Sequence, residues 1–160
     1  MSNINYTLGK DFLVFTGIDP NVIYYLQGWD GLGFTGGDTQ TSSPYGPIYN
    51  PGDIIVYNTL SCTFIIDENW KVFETLQNMA LKNAPLDGSS YDPTITTIDL
   101  HIMNNTVQKE IGYVRLNGGY VQSVMNVTHN YNVSDNTTPP MTMNVIIKYQ
   151  NHVFYRNLDA

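Results

Sequence analysis

Only one stretch of this chain carries apolar residues at helical spacing; almost everything else that is apolar alternates or is β-branched. Trp70, Phe73, Leu76 and Ala80, with Val72 and Met79 flanking, form a single stripe at the 3.6-residue period. Asp67 suits an N-cap, because a carboxylate there accepts from the free N–H groups of the first turn, and Glu68 complements the helix dipole. Lys82, Asn83 and Pro85 supply the stop. One helix is therefore predicted over 68–82, packing Trp70, Phe73, Leu76 and Ala80 on a β-sheet.

Strands account for the rest. Tyr6–Phe15 and Asn21–Leu26 read as two strands around a turn at Gly17 and Asp19-Pro20. Ile54–Ile66 reads as one long strand with Leu60, Cys62, Phe64 and Ile66 on one face. Thr94–Met103 and Val107–Leu116 make a hairpin through Asn104-Asn105, and Asn117-Gly118-Gly119 marks a further turn. Ser123–Asn132 alternates, with Met125, Val127, His129 and Tyr131 opposite Asn126, Thr128 and Asn130. A polar loop from Ser134 to Pro140 leads to the last strand, Met141–Tyr149, with Met143, Val145 and Ile147 inward. The order is strands, one helix, then strands, without an internal repeat. A chain of 160 residues can bury one such core, so a single mainly β (α+β) domain over 1–160 is the expectation.

One region breaks this pattern. Between Gln27 and Asp53 stand seven glycines and three prolines, so a long loop is predicted there, part of it able to form a hairpin. Loops of that length in compact domains are usually functional or disordered. Trp29, Phe34, Tyr45 and Tyr49 are too apolar for a solvated linker, which makes it an ordered intersubunit arm.

Composition agrees with a subunit that meets other chains. Charged residues make up 13% of the chain, against about 25% for an ordinary soluble domain. Twelve tyrosines and many Asn, Thr and Ser fill the positions that Lys and Glu would otherwise take, as at protein interfaces, although β-rich domains favour Thr and Tyr in any case. The single cysteine, Cys62, reads as a small core residue. The first residues lack the basic and apolar regions of a signal peptide, and no apolar run approaches the ~18 residues of a membrane span, so a reducing cytosol is expected. Without export the five Asn-x-Ser/Thr sequons carry no meaning.

Chemistry finds no foothold. His101, His129 and His152 lie on separate predicted strands or strand ends, without the i, i+4 or paired-Cys spacing of a metal site. Gly28, Gly31 and Gly33 precede no Lys-Ser/Thr and no helix, so they form no phosphate loop. No G-x-S-x-G elbow occurs, and Asp67 and Glu68 are explained by the helix start. Seven Lys and Arg in the whole chain make no basic patch for nucleic acid. The reading is no enzyme and no cofactor.

The string from Tyr57 through Asp67-Glu68-Asn69-Trp70, preceded by Pro51-Gly52-Asp53, resembles the strand and Asp-Glu-started helix of tail-tube proteins from contractile-tailed, T-even-like bacteriophages. The following hairpin, Gly-rich turn, alternating strand and terminal apolar strand are similar to the same family from about Phe12 to Tyr149. The resemblance implies an antiparallel β-sandwich or half-barrel with one flanking helix and a long ordered loop. It further implies hexameric rings that stack into a tube, with a sheath outside, a tape-measure protein inside, and baseplate and terminator proteins at the ends. DNA would pass through the lumen without specific binding, in a virion tail assembled in the host bacterial cytoplasm. Baseplate tube-initiator proteins and the type VI secretion tube protein share the implied fold. A more distant alternative is a carbohydrate-binding β-sandwich with Trp29, Tyr45 and Tyr49 stacking on sugar rings.

A wall along which a genome slides should be neutral-polar or acidic, because each phosphate held by Lys or Arg adds a salt-dependent attraction. Candidate faces of that kind are Ser61/Thr63, Asn126/Thr128/Asn130 and Thr142/Asn144, with Lys148 the exception on the last. The competing reading makes them solvated outer faces of a sandwich.

Overall fold

The computed structural model describes residues 13–16, 18–83, 96–103, 109–128 and 139–157. In chain order the elements are β1 (Leu13–Thr16), α1 (Pro20–Ile23), β2 (Leu26–Asp30), β3 (Phe34–Ser43), β4 (Gly46–Tyr57) and β5 (Leu60–Ile65). They continue with α2 (Lys71–Lys82), β6 (Thr96–Met103), β7 (Glu110–Met125), β8 (Thr142–Lys148) and β9 (Asn151–Arg156). Every strand pair is antiparallel.

The 16-residue β7 sets the architecture. Its first half pairs with β6 on one edge and β9 on the other, and its second half pairs with β8. β8 and β9 follow one another along the same edge of β7 and act as one long strand kinked at Tyr149-Gln150. At the kink Gln150 N donates to Asn117 O at 2.9 Å, and the pairing keeps one register across it, from Asn117–Asn151 to Tyr120–Lys148. Gly118 stands there with φ +64, and a Cβ would lie 2.8 Å from the Gln150 side chain. The Asn117-Gly118-Gly119 turn predicted from sequence is thus a bend inside a continuous strand. Glycine permits either outcome; partners on both edges of β7 select the bend.

One seven-stranded sheet results, and its two halves, a first sheet β1-β6-β7-β9 and a second sheet β7-β8-β5-β2 joined through β7, curl around one core as a half-barrel. Ile98, Leu100, Val114 and Leu116 come from the first, and Leu60, Cys62, Phe64, Met143, Val145 and Ile147 from the second. β5 alternates buried and half-buried residues along its whole length, and β8 does so up to exposed Lys148, as period-2 patterning requires. β9 completes the first sheet.

Three expectations change. Asn21–Leu26 is not a strand: Asp19 accepts from Asn21 N at 2.9 Å and Pro20 occupies the first helical position, so α1 forms and β2 starts only at Leu26. Ile54–Ile66 is interrupted at Asn58-Thr59, which sends its first part into β4 and its second into β5. The region 27–53 is mostly strand rather than loop, because β3 and β4 pair as a long hairpin.

α2 begins at Lys71, after a left-handed Trp70 with φ 58. Asp67 nevertheless caps it from outside, its Oδ1 accepting from Val72 N at 3.0 Å. That bond, ahead of other backbone donors, holds the Asp67 carboxyl below its usual pKa. Val72 and Leu76 are buried, while Phe73, Met79 and Ala80 pack half-buried against the core. Trp70 is not a core residue. It is 43% exposed and touches Phe73 edge-on, centroids 5.4 Å apart, because the left-handed turn takes it off the helical stripe. At the other end Asn83 Nδ2 donates to Val121 O at 2.9 Å, tying α2 to β7.

The Ser123–Asn132 strand ends at Met125, where Asn126 takes φ 60. Asn130, His129 and Tyr131, the Asn104-Asn105 turn and the 85–93 loop lie outside the described residues.

Candidate assembly interface

The hairpin β3–β4 belongs to neither sheet; its strands pair only with each other among the described residues. Its turn is made by Ser43-Pro44-Tyr45-Gly46, with Pro44 pre-setting the first φ. The Ser43 hydroxyl donates to Gly46 O at 2.8 Å and accepts from Tyr45 N at 3.2 Å. Halfway down, β4 has two more residues than β3 between the Gly36–Ile55 and Asp38–Pro51 pairs. The chains approach so closely there that a Cβ on Gly52 would lie 2.9 Å from Gly37 backbone atoms.

Nearly every hairpin residue is exposed, including Ile48, Tyr49, Ile54, Ile55 and Val56. Asp38 and Asp53 are its only charges. A two-stranded ribbon is marginal by itself, so its root matters. There Tyr57 stacks edge-on against His152 at 5.0 Å and Tyr149 at 6.1 Å, and Phe34 lies 5.9 Å from His152. Burial pushes the Tyr149 hydroxyl pKa up.

Of the four aromatic arm candidates, Phe34 sits at this root, Tyr45 at the tip with its side chain in solvent, and Tyr49 on β4 opposite Gln40. Trp29 is not on the arm. It lies in β2 opposite Cys62 and packs half-buried against the core. The three-ring sugar platform of Trp29, Tyr45 and Tyr49 therefore does not exist.

The second sheet presents an outer face on which polar residues stand beside Ile65 and Ile146. Ser61 and Thr63 on β5 and Thr142 and Asn144 on β8 all point away from the core, with Thr63 Oγ1 donating to Asn144 Oδ1 at 3.3 Å. Asp30 pairs with Ser61 on this face, and Lys148 stands exposed at its end. Asn126 and Thr128 are exposed but lie beyond the end of β7, not on a strand face. Sequence alternation extended too far here because Asn126 adopts the left-handed conformation that ends pairing.

Elsewhere two charged pairs lie on the first sheet. Arg115 grips Asp99 with two bonds, at 2.9 and 3.1 Å, and lies over the Tyr113 and Tyr155 rings. His101 Nδ1 is 2.9 Å from Glu110 Oε1. Burial, then the Asp30 charge, pushes the Cys62 thiol up to about 12, so it stays a thiol at neutral pH. Among the described residues no group of three His, Cys, Asp or Glu could hold a metal, and no helix is long and apolar enough to cross a membrane.

Comparison with known proteins decides the fold. A solved cap of the anti-feeding prophage, a tube-terminating cap, superposes with TM-score 0.73 at 8% identity, covering 98% of this chain and 95% of that one. The chain has the contractile-tube fold. A chain of the sheath–tube complex of an extracellular contractile injection system, in the extended state, gives TM-score 0.64 at 9% identity over 92% of this chain and 90% of that one. A type six secretion system protein gives 0.52 at 12% identity, with 81% and 67% covered. No protein-family model and no curated protein matches the sequence. Within this tube fold the hairpin is the feature that the core does not require.

Proposed function

We propose that the chain is a non-enzymatic structural subunit that self-assembles into stacked hexameric rings forming the tail tube of a contractile particle. The observation that carries this reading is the exposed hairpin. Its apolar residues and lack of cations suit burial against another chain, and exposed apolar surface beyond scattered residues marks interaction sites. The fold shared with tube chains suggests that the other chain is a copy of itself. Phe34, Tyr45 and Tyr49 would reach a neighbour in the same or the adjacent ring.

The finer reading is a T-even-like phage tube: sheath outside, tape-measure protein inside, baseplate and terminator at the ends, DNA passing through, all in a virion tail assembled in the host cytoplasm. The Ser61, Thr63, Thr142 and Asn144 face suits the lumen. A net charge of −7, repeated around a ring, would repel DNA phosphates there. Ser61→Arg is expected to slow ejection; unchanged ejection from intact tubes would place that face elsewhere.

Negative-stain microscopy of the purified chain tests the main proposal, with rings or tubes expected and monomers at all concentrations overturning it. Replacing residues 37–54 with Asn-Gly closes the ladder at the Gly36–Ile55 pair with a two-residue turn. That variant is expected to fold but not to polymerise. Normal tubes from it would rule out the arm. A second reading, a ring that caps a tube, is favoured by the likeness to a tube-terminating cap. It predicts rings that do not stack.

A further inference from the structure

β9 ends the first sheet with an outer edge that pairs with no strand among the described residues. Asn157 N donates to Ile111 O at 2.8 Å, next to the Gly112–Arg156 pair. Bonding alternates along an antiparallel ladder, so His152, Phe154 and Arg156 turn their N–H and C=O groups away from β7. Val153, Phe154 and Tyr155 are all more than 40% exposed. A bare apolar edge invites another strand.

β4 has the matching edge. Asn58 N donates to Gly33 O at 2.9 Å, beyond the Phe34–Tyr57 pair, so by the same alternation Tyr57 and Ile55 direct their backbone groups away from β3. The two edges already meet at one point, where the Tyr57 ring packs on His152. From that contact an antiparallel course sets Ile55 beside Phe154 and Asp53 beside Arg156. Side chains agree with backbone: Ile55 shares a face with Tyr57, and Phe154 shares one with His152. Charge agrees too, since Asp53 is one of two charges on the hairpin and Arg156 the only one on β9. β5 already runs along the outer edge of β8, so a closed β4 would continue that strand along β9.

We propose that the hairpin is a strap with two positions, and that in the free subunit the Asp53–Tyr57 segment closes onto the outer edge of β9 as an added antiparallel strand. Closure covers the exposed residues of both strands until assembly draws the hairpin outward. The closing contact stands on this geometry, whereas its role as a guard rests on the assembly reading.

The test uses the full chain at low concentration with Ile55→Cys and Phe154→Cys. Directly opposed residues of this kind lie within disulfide reach, and buried Cys62 stays out of the reaction. Oxidation is expected to give an intrachain disulfide, seen as a monomer that migrates faster before reduction. The Tyr49→Cys, Phe154→Cys pair should not. No disulfide, or one only between chains, would overturn closure. Asp53→Arg should slow the crosslink by about threefold and added Arg156→Asp should restore it; an unchanged rate would overturn the register. The oxidised Ile55, Phe154 variant should form no tubes until reduced, and tubes from it would overturn the guard. A parent chain that never polymerises would defeat the assembly reading alone and leave the disulfide result standing.

Discussion

β5 and the adjoining end of β4 are made of the same kinds of residue and meet opposite fates. In β5 apolar Leu60, Cys62 and Phe64 alternate with Ser61 and Thr63, so one face seals into the core and the other is polar up to Ile65. In β4 Ile54, Ile55 and Val56 run consecutively and all are exposed, Ile54 by 66%. Alternation suits a strand covered on one face; a consecutive run suits one covered on both. The hairpin therefore has the composition of a buried element, although most of it is exposed in this structure. The body buries its own apolar face, and the hairpin leaves its apolar run exposed.

If that contrast is right, substitutions in the two regions should divide sharply. The largest loss is expected in the body. Leu76 is wholly buried, and Leu76→Ala should lower unfolding free energy by about 2–5 kcal/mol in denaturant titration. Trp70→Ala should cost only about 1 kcal/mol, because what it removes is mainly an aromatic edge contact with Phe73. A loss as large as that of Leu76→Ala would return Trp70 to the core.

Asp67 gives a smaller, pH-limited effect. Its folded pKa is lowered, chiefly by the Val72 N–H bond, so the stability it adds is fully present above the ordinary carboxylate range of about 4. That contribution is lost as pH falls through the lower folded value. Asp67→Asn should be less stable than the parent at neutral pH, and the gap should close in acid. Thermal melts across pH would show a constant gap if the carboxylate were not the cap. The smallest effect on subunit stability is expected from the Asn-Gly replacement of residues 37–54, within about 1 kcal/mol of the parent. A loss comparable to Leu76→Ala would mean that the hairpin belongs to the body after all.

The site was less legible than the fold. Phe34, Tyr45 and Tyr49 could be picked out as aromatic residues among glycines, but so could Trp29, which composition alone cannot separate from them. Trp29 is claimed by Cys62 across the sheet, a partner 33 residues away. The outer positions Ser61, Thr63, Thr142 and Asn144 were readable because polar and apolar residues alternate there, up to Ile65 and Ile146. Asn126 and Thr128 lie off the strand because their alternation outlasts the pairing, which ends at Met125.

What the sequence determined by itself is local: the period-2 faces of β5, β6 and β8, the one helical stripe, and the carboxylate that caps α2. These follow from side-chain spacing and from hydrogen bonds spanning a few residues. What only the tertiary structure decided is whatever depends on distant partners. Asn117-Gly118-Gly119 bends β7 instead of ending it because β6, β8 and β9 hold both edges in place. The long apolar run breaks at Asn58-Thr59 because β8 holds its second half in the sheet while its first half pairs with β3. Glycines and β-branched residues allow several backbone courses, and the core selects among them by which one buries the most apolar surface with its backbone groups paired.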